Sequence, residues 1–440
     1  MATNYTNPSG FPEHIPSVLQ EELRIRDIMR SVYESYGYVP IETPSVEYKE
    51  TLASKGDISK EVYTIARALA EGDSKEDDRA LRFDLTIPFA RYVAQHFNDL
   101  TFPFKRWQIQ RVWRGERPQA GRFREFYQSD IDVIGNGSLP IHFDAEVVAM
   151  VHEVLNEIDF GGFTIGINHR KLLQGILKQF GITDLENTLR IIDKCDKIGL
   201  EKTINALEES GLKKDEAEKL MNLLEVKTPI DEIDTFISQI EANNDLIKDG
   251  VSELKAIASL LKGKSNKNGK IVFNPKIARG LDYYTGSVYE TTIDGYEKYG
   301  SICSGGRYEN LAGKFSNKEL PGVGISIGLS RLMYILEKES LLPFDKAGVT
   351  DIYILLLNES QRFEANKVAD QLRSAGIRTQ VSHDGEQKLG KQFNHAEKSG
   401  AQYGLIINEG EDSAGTMTLK NLNERSESIV KSVEEVIKIL

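Results

Sequence analysis

The chain has 440 residues, which is too long for one hydrophobic core and predicts about two to four domains. Its 55 lysines and arginines stand against 67 acidic residues, and this formal net charge of −12 argues against wholesale nonspecific binding of nucleic acid. The two cysteines, Cys195 and Cys303, give neither a disulfide framework nor a paired metal-ligand spacing.

The N-terminal third predicts a helix followed by an antiparallel sheet. Between Pro16 and Gly37 apolar residues recur at three- and four-residue steps, which is typical of an amphipathic helix closed by glycine. The stretch "YVPIETPSVEY" is expected to be extended because its two prolines forbid helix. Residues 81 to 135 alternate like strands, and the turn "GERPQAGR" predicts a β-hairpin from roughly Phe104 to Gly135.

The remaining elements predict an interrupted sheet and a separate α/β unit. From Ile141 to Thr228 the chain has no proline and is helix-forming and charged, which indicates a helical insertion that the polar run "GKSNKNGKI" ends. Strand-like residues then return, and after "LLPFDKAGVTD" strands and helices alternate. The predicted segments are a core of residues 1–175 and 267–340, an insertion of residues 176–266, and a C-terminal domain of residues 347–440.

The N-terminus and the hydropathy of the chain bear on its location. The segment "MATNYTNPSGF" has no basic start followed by an apolar run, and no apolar stretch is long enough to span a membrane. We therefore expect a cytoplasmic protein with no membrane association.

The hairpin carries an unusual concentration of positive charge. Between Lys105 and Arg124 there are seven basic residues and one acid, a net of +6. By strand alternation, Trp107, Ile109 and Trp113 are expected to face the core, while one side of the second strand is polar. That side consists of Arg122, Arg124, Phe126, Gln128, Asp130 and Asp132. A solvated sheet face is one interpretation; an anion site is the other, because guanidinium forks match phosphate oxygens.

A second arginine motif lies further along the chain. Arg331 falls in the opening turn of a helix that follows the glycine-bearing strand "GVGISIG", where the positive end of the helix favours phosphate. A surface arginine on an amphipathic helix is the alternative. The chain has no Walker-type sequence, so a nucleotide here would not be held by a P-loop.

These motifs together resemble a known family. The first helix leading to Pro44, the Arg-x-Glu hairpin and the Gly-x-x-Arg helix are similar to motifs 1, 2 and 3 of class II aminoacyl-tRNA synthetases. "RGLDYYTG" and "CSGGRYENL" resemble the two histidine-specific motifs of histidyl-tRNA synthetases, and the resemblance covers nearly the whole chain. It implies an α+β catalytic domain with a central antiparallel sheet flanked by helices, a helical insertion and a C-terminal α/β anticodon-binding domain.

The resemblance implies an activity and its partners. Members of the family activate L-histidine with ATP and Mg²⁺ to histidyl-adenylate and pyrophosphate, and then transfer histidine to the 3′ end of tRNA(His). They are homodimers formed through motif 1. Their helical insertion clamps the acceptor arm of the tRNA, although here it could also be a plain spacer.

The resemblance also implies which side chains bind histidine. In the family, the residues that match Asp84, Thr86 and Gln128 hold the α-amino group. Those that match Asp132 and Tyr284 meet the two ring nitrogens. The whole histidine set is Asp84, Leu85, Thr86, Arg114, Gln128, Asp132, Arg279, Tyr283, Tyr284 and Tyr308.

A second implied set binds ATP. Its members are Arg114, Glu116, Arg122, Phe126 and Arg331, which match contacts to the α-phosphate, adenine amino edge, phosphate tail, adenine face and γ-phosphate respectively. Arg279 matches an arginine between the amino-acid carboxylate and the α-phosphate, so Arg114 and Arg279 are the expected catalytic residues. The metal ligands are left unassigned.

Two departures from the family pattern and two rival interpretations remain. Many members have glutamate where Asp84 and Asp132 stand, and Ser330 replaces a frequent glutamate. The regulatory subunit of ATP phosphoribosyltransferase shares the core and binds histidine without charging tRNA, but typically lacks the C-terminal domain and an intact "RGLDYY" stretch. A different class II synthetase is the other rival, and Tyr283 and Tyr284 argue against it.

Overall fold

The computed structural model describes residues 5–53, 62–66, 78–278, 284–313, 315–344, 348–409 and 415–440. The chain divides into two compact units. The first comprises Met1–Glu13 and Ile25–Leu342, and the second comprises His14–Arg24 and Pro343–Leu440.

Most of the regular structure belongs to the first unit. Its strands are β1 (Val39–Pro40), β2 (Val46–Tyr48), β3 (Arg79–Leu81), β4 (Phe104–Trp113), β5 (Glu125–Ile134), β6 (Phe163–His169), β7 (Thr228–Pro229), β8 (Gly269–Phe273), β9 (Ser287–Ile293), β10 (Cys303–Tyr308) and β11 (Gly322–Ile327). Its helices are α1 (Pro16–Ser35, whose first residues belong to the second unit), α2 (Lys49–Leu52), α3 (Thr86–Gln95), α4 (His142–Ile158), α5 (Arg170–Gln179), α6 (Leu185–Asp193), α7 (Cys195–Ile198), α8 (Leu200–Glu209), α9 (Lys214–Leu224), α10 (Ile233–Ile237), α11 (Asp245–Leu261) and α12 (Leu329–Lys338).

Within the described residues, nine of these strands form one sheet in the order β1-β4-β5-β11-β10-β9-β6-β8-β7. Its centre, from β4 to β6, is antiparallel, which confirms the predicted core. Two pairs are parallel, β1 with β4 and β6 with β8. The helices between β6 and β8 provide the long crossover that a parallel pair requires.

The predicted hairpin is present, but its buried face is not the predicted one. β4 and β5 pair antiparallel, with Arg106 opposite Asp132 and Val112 opposite Phe126. The buried residues of β4 are Phe104, Arg106, Gln108 and Val112, whereas Trp107, Ile109 and Trp113, expected in the core, are only half-buried. The expectation failed because Arg106 and Gln108 are polar core residues, and alternation alone assigns polar residues to the solvent side.

The helical segment from α5 to α11 is joined to the main sheet. β7 pairs antiparallel with β8 at the edge of the sheet, and α11 packs against α5. The helices α6 to α11, interrupted by β7, lie within the segment predicted as a helical insertion, residues 176–266.

The second unit contains the predicted α/β alternation. Its elements are β12 (Ile352–Leu355), α13 (Arg362–Ser374), β13 (Thr379–Val381), α14 (Leu389–Lys398), β14 (Tyr403–Ile407), β15 (Met417–Asn421), β16 (Ser426–Val430) and α15 (Val433–Ile439). Among its described residues the sheet order is β13-β12-β14-β15-β16, with the first three strands parallel. As for the membrane, the helices in the described part of the chain are all too short or too polar to cross one.

A buried ion pair fastens α4 to the central sheet. Arg307 on β10 donates from Nε to Asp144 Oδ2 over 3.0 Å, and its Nη1 donates to the carbonyl of Leu139 over 3.0 Å. Asp144 is fully buried and also contacts Ser287. Removing one partner of such a pair leaves an uncompensated charge in a medium of low dielectric constant.

We expect Asp144→Asn to lower the free energy of unfolding by about 3 to 5 kcal/mol, because the Arg307 guanidinium would remain buried without its counter-charge. The measurement is urea unfolding followed by tryptophan fluorescence. The matched control is Asp234→Asn, because Asp234 forms a solvent-exposed pair with Lys255 of 2.6 Å. That change should cost less than about 1 kcal/mol. Equal losses in the two variants would contradict the assignment.

A second cluster joins the end of β6 to α11. His169 Nε2 lies 2.9 Å from Glu253 Oε2, and Lys171 Nζ lies 2.6 Å from Oε1. The hydrogen bond from His169, followed by that from Lys171, lowers the pKa of Glu253 from an ordinary 4.5 to about 2. Because the folded-state pKa lies below the unfolded one, the stabilisation is complete above 4.5 and is lost as the pH falls toward 2.

Glu253→Gln should therefore destabilise the protein at about pH 7, and the difference in unfolding free energy from the parent should narrow as the pH falls below about 4.5. Urea unfolding at several pH values measures that difference. If the difference in unfolding free energy between the parent and Glu253→Gln does not change with pH, the charge of Glu253 does not contribute to stability.

Candidate active site

Two cavities adjoin on one face of the central sheet. The larger, of about 250 Å³, is lined by all five residues of the predicted ATP set, namely Arg114, Glu116, Arg122, Phe126 and Arg331, and also by Gln128. The smaller, of about 30 Å³, is lined by four of the predicted histidine residues, Thr86, Asp132, Tyr284 and Tyr308. Ser304 and Ser326 line both cavities, so the two predicted sets meet at one wall.

Strand β5 sets the order of the polar groups along this wall. Phe126, Gln128, Asp130 and Asp132 alternate along the strand and therefore point to the same side of the sheet. Phe126 and Gln128 are half-buried and line the larger cavity, whereas Asp130 and Asp132 are buried and line the smaller one. The strand therefore runs from the larger cavity to the smaller one.

The smaller cavity combines a carboxylate with phenol hydroxyls. Asp132 is 5% exposed, and its Oδ1 accepts a hydrogen bond of 3.1 Å from the Tyr308 hydroxyl. Desolvation in the cavity, with the nearby charge of Asp132, raises the pKa of Tyr284, so its hydroxyl stays protonated and can donate. The site thus offers one fixed acceptor and one fixed donor to a small ligand.

The start of α3 contributes the next part of the site. Thr86 is the first residue of this helix and lines the smaller cavity. Asp84 is buried, and its Oδ1 accepts from the backbone N–H of Ile87 over 3.1 Å, which holds the loop against the helix end. Leu85 is fully buried in the core, and neither it nor Asp84 lines either cavity. The substrate contacts predicted for these two residues remain predictions.

The larger cavity is positively charged and has an aromatic wall. The Arg114 guanidinium carbon lies 5.1 Å from the centroid of the Phe126 ring, and its Nε donates to the Phe83 carbonyl over 3.1 Å. Arg331 Nη1 donates to the Ser301 carbonyl over 2.7 Å, which fixes the guanidinium at the start of α12. Arg122 and Glu116 form a more exposed pair at 3.5 Å. Arginines beside a flat ring can hold phosphates next to a base.

Gln128 stands where the two cavities meet. Its side-chain N–H donates to Ser326 Oγ over 2.8 Å. Its Oε1 is buried, and within the described residues it has no hydrogen-bond partner. A buried acceptor of this kind is costly unless a ligand or water donates to it, so the side chain suits an ammonium group.

Two glycines of β11, Gly322 and Gly324, lie directly against functional side chains, and we call them the glycine floor. Sequence reasoning assigned them no role. A Cβ on Gly324 would overlap the Asp132 carboxylate, and one on Gly322 would overlap the Tyr308 ring. Glycine within a strand often marks a close approach of this kind, and the "GVGIS" pattern was the available signal. Ser304, Ser326 and Asp130 line the smaller cavity and were likewise not predicted as site residues.

Two predicted residues, Arg279 and Tyr283, lie outside the described residues. Their roles therefore remain predictions. The described chain around them ends at Ala278 and resumes at Tyr284, which lines the smaller cavity.

Comparison with known proteins agrees with this arrangement. A family model described as histidyl-tRNA synthetase matches residues 10–332, and one described as anticodon binding domain matches residues 351–440. The chain is 47% identical to a histidine–tRNA ligase of Thermobifida fusca, with 89% of each chain covered, and 41% identical to one of Clostridium tetani, covering 98% of this chain and 97% of the relative. It is also similar to the crystal structure of histidyl-tRNA synthetase from Nostoc sp. PCC 7120, with a TM-score of 0.89, 38% identity and complete coverage of both chains.

The glycine floor generates a test of the smaller cavity. Gly324→Ala should displace the Asp132 carboxylate and strongly weaken L-histidine binding, because the added methyl group would overlap that carboxylate. ATP binding should change little, because Gly324 does not line the larger cavity. Isothermal titration calorimetry with each ligand measures the effect. Gly390→Ala is the matched control, since a Cβ there meets nothing within 4 Å. Parental histidine affinity in Gly324→Ala would contradict the assignment.

Proposed function

This chain belongs to the histidyl-tRNA synthetase family, and from that premise we propose that it activates L-histidine with ATP and transfers it to tRNA(His). The observation that carries the proposal is the adjacency of the two cavities. One has arginines beside an aromatic ring, the other has a carboxylate beside protonated phenols, and they share Ser304 and Ser326. A nucleotide and an amino acid bound in them would meet at the shared wall.

The smaller cavity suits an imidazole ring. A neutral imidazole has one N–H donor and one bare nitrogen acceptor, so it needs an acceptor and a donor from the protein. Asp132 supplies the first and the Tyr284 hydroxyl the second. An analogue such as phenylalanine has no ring nitrogen and would form neither of these hydrogen bonds, and sites that bind a polar group of the substrate discriminate by about 10⁴ to 10⁵ without editing.

The amino-acid backbone is proposed to lie toward the larger cavity. Gln128 Oε1, which has no hydrogen-bond partner among the described residues, can accept from the α-ammonium group, together with Thr86 and Asp84 as the family pattern implies. The histidine carboxylate then lies near Arg114, where the α-phosphate is expected. This orientation places the two reacting groups at the boundary between the cavities.

The reaction is proposed to be in-line displacement at the α-phosphorus. A carboxylate oxygen of histidine forms the new P–O bond, the bond to the bridging oxygen of pyrophosphate breaks, and the leaving pyrophosphate carries away the electron pair. The attacking carboxylate is already ionised at neutral pH, so no general base is needed. Arg114 and the predicted Arg279 stabilise charge on the phosphoryl oxygens from fixed positions.

Mg²⁺ is proposed to enter as part of the substrate, MgATP. In the described part of the chain, no three His, Cys, Asp or Glu side chains are grouped so that they could hold a metal ion, and Glu116 is the carboxylate that lines the larger cavity. This fits Mg²⁺, which usually keeps several waters and relies on substrate phosphates with one or two carboxylates. When bound, it would supply further positive charge to the phosphates.

The second half-reaction requires tRNA. The terminal ribose hydroxyl of tRNA(His) attacks the adenylate carbonyl and AMP leaves, which gives the histidyl ester. The C-terminal domain, residues 347–440, is proposed to bind the anticodon, supported by the family match to residues 351–440. The insertion, residues 176–266, is proposed to clamp the acceptor arm against the core of residues 1–175 and 267–340.

A cytoplasmic homodimer is the proposed assembly. β1 is an edge strand of the central sheet, and apolar side chains on it and on the following β2 are exposed: Val39 by 47%, Val46 by 38% and Tyr48 by 65%. They belong to the segment around Pro44 that resembles motif 1, through which family members dimerise. Burying these side chains against a second copy would remove them from water.

The proposed activity is tested by ATP–pyrophosphate exchange with each of the twenty amino acids. Only histidine should support exchange, and Arg114→Ala should lower the rate by about 10² to 10³, because one preorganised charge at the α-phosphate is lost. Arg111→Ala is the matched control from β4, the strand that ends just before Arg114, since Arg111 is exposed and pairs with Glu125. It should exchange at a near-parental rate. The same assay on Arg279→Ala tests the role predicted for that residue.

Two outcomes would overturn the proposal. Exchange with another amino acid would favour a different class II synthetase. No exchange with any amino acid, combined with retained histidine binding, would favour the regulatory subunit of ATP phosphoribosyltransferase, against which the anticodon-binding match speaks.

A further inference from the structure

Behind the proposed histidine pocket lies a buried arginine to which the proposed function assigns no role. Arg106 on β4 is fully buried, and its Nη2 lies 2.6 Å from Asp132 Oδ2. The two residues are directly opposite each other in the β4–β5 pairing. Phe89 covers the guanidinium, with its ring centroid 4.3 Å from the guanidinium carbon, so this pair is shielded from water.

A second carboxylate shares the same guanidinium. Asp130 Oδ2 lies 3.8 Å from Arg106 Nη2, and Arg106 Nη1 also donates to the Asp130 carbonyl over 3.4 Å. Asp130 is 2% exposed and lines the smaller cavity beside Asp132. Its Oδ1 has no hydrogen-bond partner among the described residues. Two buried carboxylates therefore lie against one arginine.

Several charged and titratable groups of the described residues surround these carboxylates. Those that face Asp130 are Arg106, Arg82, Arg114, Asp84, Cys303, Tyr33 and Tyr284. Those that face Asp132 are Arg106, Tyr38, Tyr284 and Tyr308. Within the described residues, Arg106 is the cation that lies within 4 Å of both carboxylates, while the thiol and the phenols are neutral because burial raises the pKa of each.

We propose that Arg106 is a positioning residue of the histidine site, which keeps the Asp132 carboxylate ionised and aimed at the bound ring while Asp130 shares its charge. The proposal rests on the proposed function, because it concerns the same pocket. Arg106 acts through Asp132 and does not itself line either cavity.

Removal of Arg106 has a predictable electrostatic consequence. Two like charges in one desolvated site cannot both ionise readily, so one carboxyl group takes up a proton and the pKa of the pair rises. Desolvation already raises the pKa of Asp130, and Arg106 is the largest opposing influence. When the shared proton resides on Asp132, this side chain is a poorer acceptor for the ring N–H. The defect should be greatest at low pH and diminish as the pH rises.

The experiment is ATP–pyrophosphate exchange by the full-length protein carrying Arg106→Met. The KM for histidine should rise about 10- to 100-fold, as expected when a hydrogen bond to a charged group worth about 1.5 to 3 kcal/mol is lost. The KM for ATP should stay near its parental value. The ratio of variant to parental histidine KM should fall from about pH 6.5 to about pH 8.5, because deprotonation restores the acceptor.

A double variant tests the shared charge. Adding Asp130→Asn to Arg106→Met removes the like-charged neighbour of Asp132. The histidine KM should therefore fall most of the way back to its parental value, and the ratio of variant to parental KM should no longer depend on pH. Arg91→Met is the matched control, because Arg91 forms a 2.7 Å pair with Glu47 and lines neither cavity. It should leave the histidine KM and its pH profile parental.

A histidine KM of Arg106→Met that matches the parent, or a ratio that does not change with pH, would overturn the proposal. If that variant does not fold, Arg106→Lys decides, because its ammonium retains the charge but cannot bridge both carboxylates. Its histidine KM should rise several-fold without pH dependence, and a parental value overturns the proposal.

Asp132→Asn separates a failure of the proposed histidine site from a failure of the role proposed for Arg106. If it leaves histidine KM unchanged, the proposed site fails; if it raises KM while Arg106→Met does not, only the role of Arg106 fails.

Discussion

The structure depends on one constraint, namely that one face of β5 must be both buried and polar. Asp132 and Asp130 lie in the interior of the central sheet, where an unpaired carboxylate is costly. The β4–β5 register meets this cost by placing Arg106 directly opposite Asp132. The hairpin therefore serves the fold and the site through the same cross-strand pair, and a slip of one residue in register would remove both.

The two cavities differ in how firmly their polar groups are held. In the smaller cavity the carboxylate is fixed by Arg106 and Tyr308, and Tyr308 and the neighbouring Asp130 are buried. In the larger one Arg122 and Glu116 are exposed and loosely paired. A site that must recognise one ring gains from rigidity, whereas a nucleotide with a long phosphate tail can draw exposed arginines toward itself.

Sequence reasoning recovered the architecture well and the site in part. The hairpin, the glycine-bearing strand before α12 and the C-terminal alternation were found because each has a strong local pattern, and the residues of both cavities came mainly from family resemblance. The face of β4 was assigned wrongly because a buried arginine and a solvent-exposed one look alike in a hydropathy pattern. Asp130 and the glycine floor were missed because their roles depend on which strands become neighbours, as β11 and β5 do, and a single strand does not encode that.

The glycine floor also limits how the chain can evolve. Every amino acid other than glycine carries a Cβ, so no replacement at position 324 spares the volume that the Asp132 carboxylate occupies. Glycine weakens a strand, and a β-branched residue there would ordinarily strengthen the sheet. At position 324, however, the added Cβ would also lie 2.8 Å from the Ile131 carbonyl oxygen, and this overlap opposes any gain in strand propensity. Selection for heat resistance and selection for substrate recognition would therefore both retain glycine at this one position.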